Sequence, residues 1–251
     1  MPTASLDHPM TELVTHGGAD YLSCLVQLSK LTRAERYLEI GTETGQSLSL
    51  IDCASVSVDP TYQIKFDVVG RKPACHLFQL PSDDFFARHD PSALLGGKLD
   101  LAFLDGLHHY EALLRDVINT ERHCRPDSVI LMHDCLPPTA DMTNRGGRGS
   151  LHPKFPNFWT GDVYKTVQIL MAYRPDLRIF LFDAPPTGLV AVTGLDPTST
   201  VLADRMDEIV AEFAPRGDDP ARLQAFMASI TLTSTQHLVD RRSWKALLAG
   251  K

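Results

Sequence analysis

Side chains suited to acid–base chemistry and metal binding are concentrated in two short segments of this chain. Asp105 and His108 lie three residues apart in the first, and His133 and Asp134 are adjacent in the second. An aspartate supplies hard oxygen ligands for a divalent cation, and a histidine with a pKa near ~6.5 is a general base at neutral pH. We therefore predict a catalytic centre with His108 as the base and Asp105 beside it.

A glycine-containing turn and a strand-end aspartate form a second group of candidate residues. Gly41 and Gly45 frame the turn, and Glu43 stands where a pyrophosphate-binding GxGxxG loop has its middle glycine. A carboxylate is poorly suited to lie beside phosphates, so we disfavour a dinucleotide ligand. Asp59 precedes Pro60 and suits the hydroxyls of a ribose, because an ionised carboxylate is acceptor-only. A turn cap at Asp59 is the alternative.

An alternation of apolar runs and helical periodicity must position these residues. Apolar runs predict strands at residues 36–40, 54–58, 76–80, 99–104, 128–132, 177–182 and 188–193. We predict an α/β fold: a Rossmann-like, doubly wound, mostly parallel seven-stranded sheet with an antiparallel edge strand, plus N- and C-terminal helices. Ligands of such sheets bind at the carboxyl ends of the strands. The residues that should meet there are Glu39, Asp59, Asp105, His133 and Asp134.

Helical spacing predicts the remaining elements. A helix that includes His108 in its first turn should cover residues 108–124, and another should run from about 161 to 173. Further helices are predicted at one or two places between 11 and 31, and near 199–213, 219–230 and 235–249.

Several of these segments together resemble one protein family. Residues 38–47 (LEIGTETGQS), 58–60 (VDP) and 101–110 (LAFLDGLHHY) are similar to class I S-adenosylmethionine-dependent methyltransferases, and 128–135 (SVILMHDC) extends the similarity. The DGxHxYE pattern, followed by a strand ending in His-Asp, resembles the bacterial branch of small-molecule and natural-product O-methyltransferases. The resemblance covers roughly residues 35–195.

The resemblance implies S-adenosylmethionine as the cofactor. Glu39 and Gly41 would hold its methionine end, and Asp59 would take the ribose hydroxyls. Ser82 and Asp83 lie where the family often contacts adenine, with a helix N-cap as the alternative. The cofactor-binding residues implied in this way are Glu39, Gly41, Thr42, Gly45, Ser47, Asp59, Ser82, Asp83 and Asp105.

Metal-dependent members of the family hold Mg²⁺ with an aspartate at one strand end and an acidic pair at the next. These positions correspond to Asp105, His133 and Asp134. The imidazole of His133 departs from that pattern and suits Mn²⁺, Fe²⁺ or Zn²⁺ better than Mg²⁺. A divalent metal at these residues and a metal-free site with His108 as the base are both left open.

The resemblance implies methyl transfer to a hydroxyl of a sugar, a polyol or an aromatic natural product. A metal-dependent oxygenase or hydrolase on the same scaffold is one alternative, because two histidines and a carboxylate also form the ligand set of non-haem iron. A non-catalytic cofactor-binding protein is another. We divide the chain into an N-terminal helical cap (1–34), the S-adenosylmethionine-binding methyltransferase domain (35–195) and a C-terminal helical extension (196–251).

Residues 136–160 lack apolar periodicity, and we predict a lid loop that ligands order. Arg145 and Arg148 are expected to be solvated charges of this loop. Trp159 and Lys165 are candidates for the acceptor cavity, although capping of the following helix is the simpler interpretation of this segment.

Composition limits the partners. The net charge of −7 disfavours nucleic acid, and a hydrophobic fraction of 43% excludes a largely disordered chain. Five scattered cysteines without a CxxC pair argue against disulfides and zinc knuckles. With neither a leader nor a membrane-spanning stretch in the sequence, we expect a cytoplasmic protein with a small-molecule acceptor and no membrane partner. A homo-oligomer is left open.

Overall fold

The computed structural model describes residues 11–217 and 219–250. The first ten residues of the predicted N-terminal cap lie outside this range. The strands are β1 (Arg36–Ile40), β2 (Ala54–Val58), β3 (Cys75–Phe78), β4 (Leu99–Leu104), β5 (Cys124–His133), β6 (Arg178–Phe182) and β7 (Leu189–Thr193). The helices are α1 (Tyr21–Thr32), α2 (Gln46–Ser49), α3 (Ser82–Arg88), α4 (Pro91–Leu94), α5 (Tyr110–Glu121), α6 (Tyr164–Tyr173), α7 (Val201–Asp204), α8 (Met206–Phe213), α9 (Asp219–Ser229) and α10 (Arg241–Leu248).

The strands form one seven-stranded sheet in the order β3-β2-β1-β4-β5-β7-β6. Strands β1 to β5 pair in parallel, whereas β7 is antiparallel to both of its neighbours, β5 and β6. This confirms the predicted mostly parallel sheet and places the antiparallel pairing at one end of it. The strand order reverses between β1 and β4, which creates a crevice at the carboxyl ends of these two strands.

Helices cover both faces of the sheet, because successive side chains of a strand point to opposite faces. Leu38 and Ile40 of β1 belong to the core shared with α5, α6, α8 and α9. Tyr37 lies in the other core, with α1, α2 and α10. The C-terminal helices therefore bury apolar side chains against the same sheet; Ile209, for example, is fully buried.

Several predicted boundaries differ from the observed ones. Residues 11–20 form no helix, and α1 begins at Tyr21, where Asp20 caps the helix by accepting from the Ser23 amide. Strand β5 begins at Cys124, four residues before the predicted start, and includes a bulge against β4. The last predicted helix is divided into a 3₁₀ turn, Thr235–Leu238, and α10.

The next two observations concern membrane-spanning helices and the cysteines. Within the described residues, no helix combines the length and the apolar character that a bilayer crossing requires. All five cysteines are free, and Cys24, Cys124 and Cys135 are buried.

Candidate active site

A cavity of about 750 Å³ opens at the carboxyl ends of β1, β2, β4 and β5. Residues at or directly after the end of each of these strands line it, so the predicted convergence of strand ends is confirmed for four of the five residues. The lining includes Gly41, Asp59, Asp105, His108, Asp134 and Trp159. Glu39 is the predicted residue that does not line it.

The glycine turn holds β1 against the residue that follows β4. Gly41 has φ of +85°, and a Cβ atom at this position would lie 2.0 Å from the carbonyl oxygen of Asp105. Only glycine tolerates both the backbone angle and the contact. Gly45 also has positive φ and precedes α2. The turn is tight because both glycines adopt positive φ angles and Gly41 lies against Asp105, as the spacing of the two glycines predicts.

Glu39 is fully buried under the glycine turn. One carboxylate oxygen accepts from the Tyr37 hydroxyl at 2.6 Å, and the other accepts from the Ser47 hydroxyl at 3.0 Å. Burial raises the pKa of Glu39 to about 7, an effect that these hydrogen bonds partly offset. In this structure the hydrogen bond between Glu39 and Ser47 links β1 to α2 on the buried side of the turn. Thr42 links the turn to β2 through Ser57, with 2.7 Å between their hydroxyl oxygens.

Asp59 both lines the cavity and ties two turns together. Its oxygens accept from the backbone amides of Glu43 and Thr61, each at 2.7 Å. These two hydrogen bonds confirm that the Asp59 side chain caps a turn. Each carboxylate oxygen has a second lone pair, so the ribose role stays a prediction.

Ser82 and Asp83 line the cavity at the start of α3. The N-cap position of α3 belongs to Pro81, which has no capping side chain, so the N-cap alternative for Ser82 and Asp83 is wrong. Asp83 accepts from the Nε atom of Arg115 at 2.9 Å. Behind Ser82 lies Asp116, whose Oδ1 atom is buried without a hydrogen-bond partner.

Asp105, His108 and Asp134 form a compact group. One ligand atom from each residue lies within 4.8 Å of the others. Nε2 of His108 is 3.4 Å from Asp105 Oδ1 and 3.3 Å from Asp134 Oδ2. His108 lies in the bend before α5 rather than in its first turn as predicted, because the side chain of Asp162 caps the Tyr110 amide and the helix begins there.

His133 lies beside this group. Its Nδ1 atom is buried and makes no hydrogen bond, although it is 3.4 Å from Oδ1 of both Asp105 and Asp134. The ring of Tyr21 stacks on His133 with the ring centroids 4.0 Å apart. The Thr187 hydroxyl donates to Asp134. The sequence pattern gave no indication of either contact.

Opposite charges in this group perturb its titration. Burial lowers the pKa of His108, but the hydrogen bond to Asp105 and the charge of Asp134 outweigh that effect and raise the pKa to about 9. The same competition raises the pKa of His133. Burial raises the pKa of Asp105, but the charge of His133 and the contact with His108 outweigh it and keep that carboxyl ionised. Without a cation, the group therefore stabilises the protonated form of its histidines.

The 136–160 loop is folded onto the site. It contains a short 3₁₀ turn, Ala140–Thr143, with Met142 fully buried. The prediction that Arg145 is a solvated charge is wrong, because its guanidinium group pairs with Asp162 at 2.8 Å. The prediction that ligands order the loop stays a prediction.

Two candidates for the acceptor cavity next to this loop have different outcomes. Trp159 lines the cavity, so this candidate is retained. The structure excludes the other candidate, Lys165, because its side chain is 2% exposed and pairs with Asp219 at 2.7 Å.

The sheet order, the single antiparallel strand and the crevice beside a glycine turn define the class I methyltransferase fold. Within that fold, residues 38–135 match a family model described as a methyltransferase domain. The matched segment runs from β1 to just beyond β5 and includes Gly41, Asp59, Asp105 and Asp134. This segment of the chain is therefore similar to a methyltransferase domain.

Solved structures with partial similarity include three methyltransferases. They are the methyltransferase PaMTH1 of Podospora anserina, solved with S-adenosylhomocysteine (16% identity, 70% of this chain and 78% of that chain, TM-score 0.48); the O-methyltransferase TomG of Streptomyces achromogenes, involved in tomaymycin synthesis (15%, 68% and 78%, 0.44); and an O-methyltransferase of Bacillus cereus (14%, 72% and 84%, 0.44). No curated protein matches the chain in a sequence comparison.

Proposed function

We propose that this protein transfers the methyl group of S-adenosylmethionine to a hydroxyl of a small molecule. One observation carries the proposal: the cavity brings a glycine turn, a ribose-type aspartate and an Asp–His–Asp group together at the carboxyl ends of four neighbouring strands. The match of residues 38–135 to a methyltransferase domain supports it.

The cofactor would lie along the β1–β2 side of the cavity. The backbone at Gly41 lines the cavity and would hold its methionine end, and Asp59 has free lone pairs that would accept from the ribose hydroxyls. Ser82 and Asp83 also line the cavity and would contact the adenine. Glu39 supports the turn through Ser47 rather than by direct contact, which refines the role that the resemblance implies.

The Asp–His–Asp group fits a divalent cation. Its donor set of Asp105, His108 and Asp134 is compact, and the Nδ1 atom of His133 beside it has no hydrogen-bond partner. Imidazole among carboxylates favours Mn²⁺, Fe²⁺ or Zn²⁺. A cation held here would supply positive charge that makes an acceptor hydroxyl more acidic.

The reaction is an in-line displacement. The acceptor oxygen forms a bond to the methyl carbon as the carbon–sulfur bond breaks, so the sulfonium leaves as a neutral thioether and the hydroxyl proton passes to a base. His108 is the assigned base. Its Nδ1 atom donates to the Trp159 carbonyl oxygen at 3.1 Å, so Nε2 is the nitrogen that accepts the proton, in a molecule whose Nε2 holds neither a proton nor a cation.

The test combines cofactor binding with turnover. Calorimetry with S-adenosylhomocysteine should show stoichiometric binding, and labelled S-adenosylmethionine should methylate a member of a panel of sugars, catechols and macrolide-like polyols. Cofactor binding without turnover on the whole panel would favour the non-catalytic alternative. Bound iron together with substrate-dependent oxygen consumption would favour the oxygenase.

A further inference from the structure

The 136–160 loop makes a direct contact with the imidazole of the catalytic centre. The carbonyl oxygen of Trp159 accepts from Nδ1 of His108 at 3.1 Å, and the two rings are 4.9 Å apart. In a neutral imidazole one nitrogen donates and the other accepts. This contact therefore fixes which nitrogen faces Asp105 and Asp134.

The end of the loop is fitted to the backbone of His108. Gly161 has φ of +56°, and a Cβ atom there would lie 1.8 Å from the His108 carbonyl oxygen. No other residue type allows this approach without a shift of one backbone against the other. The contact between Trp159 and His108 thus belongs to a close-packed junction.

The other side of the loop is fastened by one guanidinium group. NH1 of Arg145 donates to Glu111 at 2.9 Å and to Asp162 at 2.8 Å. Glu111 lies in the first turn of α5, directly after the bend that holds His108, and the other oxygen of Asp162 caps the same helix at Tyr110.

A further hydrogen bond joins the two sides of the loop. Nε1 of Trp159 donates to the carbonyl oxygen of Asn144 at 2.5 Å. Asn144 immediately precedes Arg145. The ion pairs of Arg145 therefore also restrain the indole of Trp159 and, through it, the Trp159 carbonyl that contacts His108. Arg145 is 31% exposed in its side chain, and Asp162 only 5%, so solvent and salt screen this ion pair less than a surface pair.

We propose that Arg145 is a positioning residue: it fastens the 136–160 loop to α5 so that the Trp159 carbonyl holds His108 with Nε2 directed at Asp105 and Asp134. The inference rests on the proposed function for its consequence in catalysis. Its structural half, the orientation of one histidine ring, stands without any cofactor or acceptor.

The experiment compares Arg145→Gln with Arg148→Gln, a matched change three residues away at an exposed position of the same loop. Nitrogen-15 NMR of the free protein follows the Nδ1–H proton of His108, assigned by its disappearance in His108→Ala. We expect this proton to exchange rapidly in Arg145→Gln and to stay protected in Arg148→Gln and in the wild type. Arg145→Lys, which keeps a donor and the charge, should restore part of the protection.

Turnover provides the second measurement. In Arg145→Gln, kcat should fall about tenfold while the KM for S-adenosylmethionine changes little, in line with the effect of removing groups that orient a catalytic histidine. Trp159→Phe, which removes the bond to Asn144 and shortens the ring that lies over His108, should give a smaller change of the same kind. It also replaces Arg145→Gln as the test if that variant does not fold.

Unchanged protection of the His108 proton in Arg145→Gln, or equal loss in Arg148→Gln, would overturn the inference. A wild type that shows the protected proton but neither binds S-adenosylmethionine nor transfers a methyl group would refute the proposed function while leaving the positioning role intact.

Discussion

His108 has one reactive nitrogen, because the Trp159 carbonyl engages the other. That nitrogen lies between two carboxylates at 3.4 and 3.3 Å, which hold the pKa of the imidazole at about 9. A histidine that is protonated at neutral pH is a poor base, so a cation on Asp105 and Asp134 would favour its neutral form. Because both functions would use Nε2, His108 cannot be the base and a ligand of the cation at the same time.

Replacement of His108 separates these functions. His108→Ala should lower the methyl-transfer rate by ~10²–10⁴-fold with nearly unchanged affinity for S-adenosylhomocysteine, because a positioned general base contributes about that factor. Rates and calorimetric affinities measure this, and His237→Ala, outside the cavity lining, is the control. Weakened Mn²⁺ binding in the same variant would identify His108 as a ligand, and the loss of rate would then follow from loss of the cation. Near wild-type turnover on the true acceptor would exclude His108 as the base.

Asp59 provides a second test at single-residue level. Asp59→Ala should weaken binding of the adenosyl ligand by about 1.5–3 kcal/mol, the range for hydrogen bonds to a charged group. Calorimetry measures the change. Asp67→Ala removes an aspartate that also binds backbone amides of its own turn, but outside the cavity lining, and should leave the affinity unchanged. Equal affinities of the wild type and Asp59→Ala would remove Asp59 from the cofactor site.

At the scale of elements, the site depends on how closely β1 approaches the residue that follows β4. The amide of Asp105 donates to Ile40 at 2.8 Å, and that of Gly41 donates to Val58 at 2.9 Å. These bonds continue the sheet one residue beyond its strands. The glycine turn therefore positions Asp105 directly.

Two glycines with similar backbone angles isolate the steric part of this effect. Gly41 (φ +85°) meets Asp105, whereas Gly147 (φ +72°) has no atom within 4 Å of an added Cβ. Gly147→Ala should cost roughly 1–2 kcal/mol of unfolding free energy, the penalty of the left-handed conformation. Gly41→Ala should cost clearly more and also abolish cofactor binding. Urea denaturation measures the free energy of unfolding of both variants. Equal losses would mean that the contact with Asp105 adds nothing to the cost of Gly41→Ala.

At the scale of the whole molecule, stability should depend on the pH through a buried carboxyl group of α5. Burial raises the pKa of Asp116 from 3.8 to about 7. Between these values the folded chain keeps a proton that the unfolded chain releases, so stability falls as the pH rises and the penalty is complete above about pH 7.

Asp116→Asn removes this titration without a change of shape. The variant should be more stable than the wild type near about pH 8 by a few kcal/mol, since each tenfold change in acidity corresponds to about 1.4 kcal/mol, and the difference should disappear below about pH 4. Urea unfolding at several pH values measures it. Asp127→Asn, at an 80% exposed side chain, is the control. A pH-independent difference would contradict the buried titration.

The sequence by itself determined the sheet and the residues at its carboxyl ends. Strand patterns and the glycine spacing are local, since alternation and steric freedom act over a few residues. For that reason Gly41, Asp59, Asp105, His133 and Asp134 could be placed near one cavity from the sequence alone.

Only the tertiary structure decided how these groups are used. Burial of Glu39 under the turn, the bend that takes His108 out of α5, and the pairing of Arg145 with Asp162 all depend on partners that are distant in sequence or lie on another element. The Trp159 carbonyl has no sequence signature, because every residue carries one. Packing of the 136–160 loop against α5 selects this carbonyl, and that contact joins residues 51 positions apart in the chain.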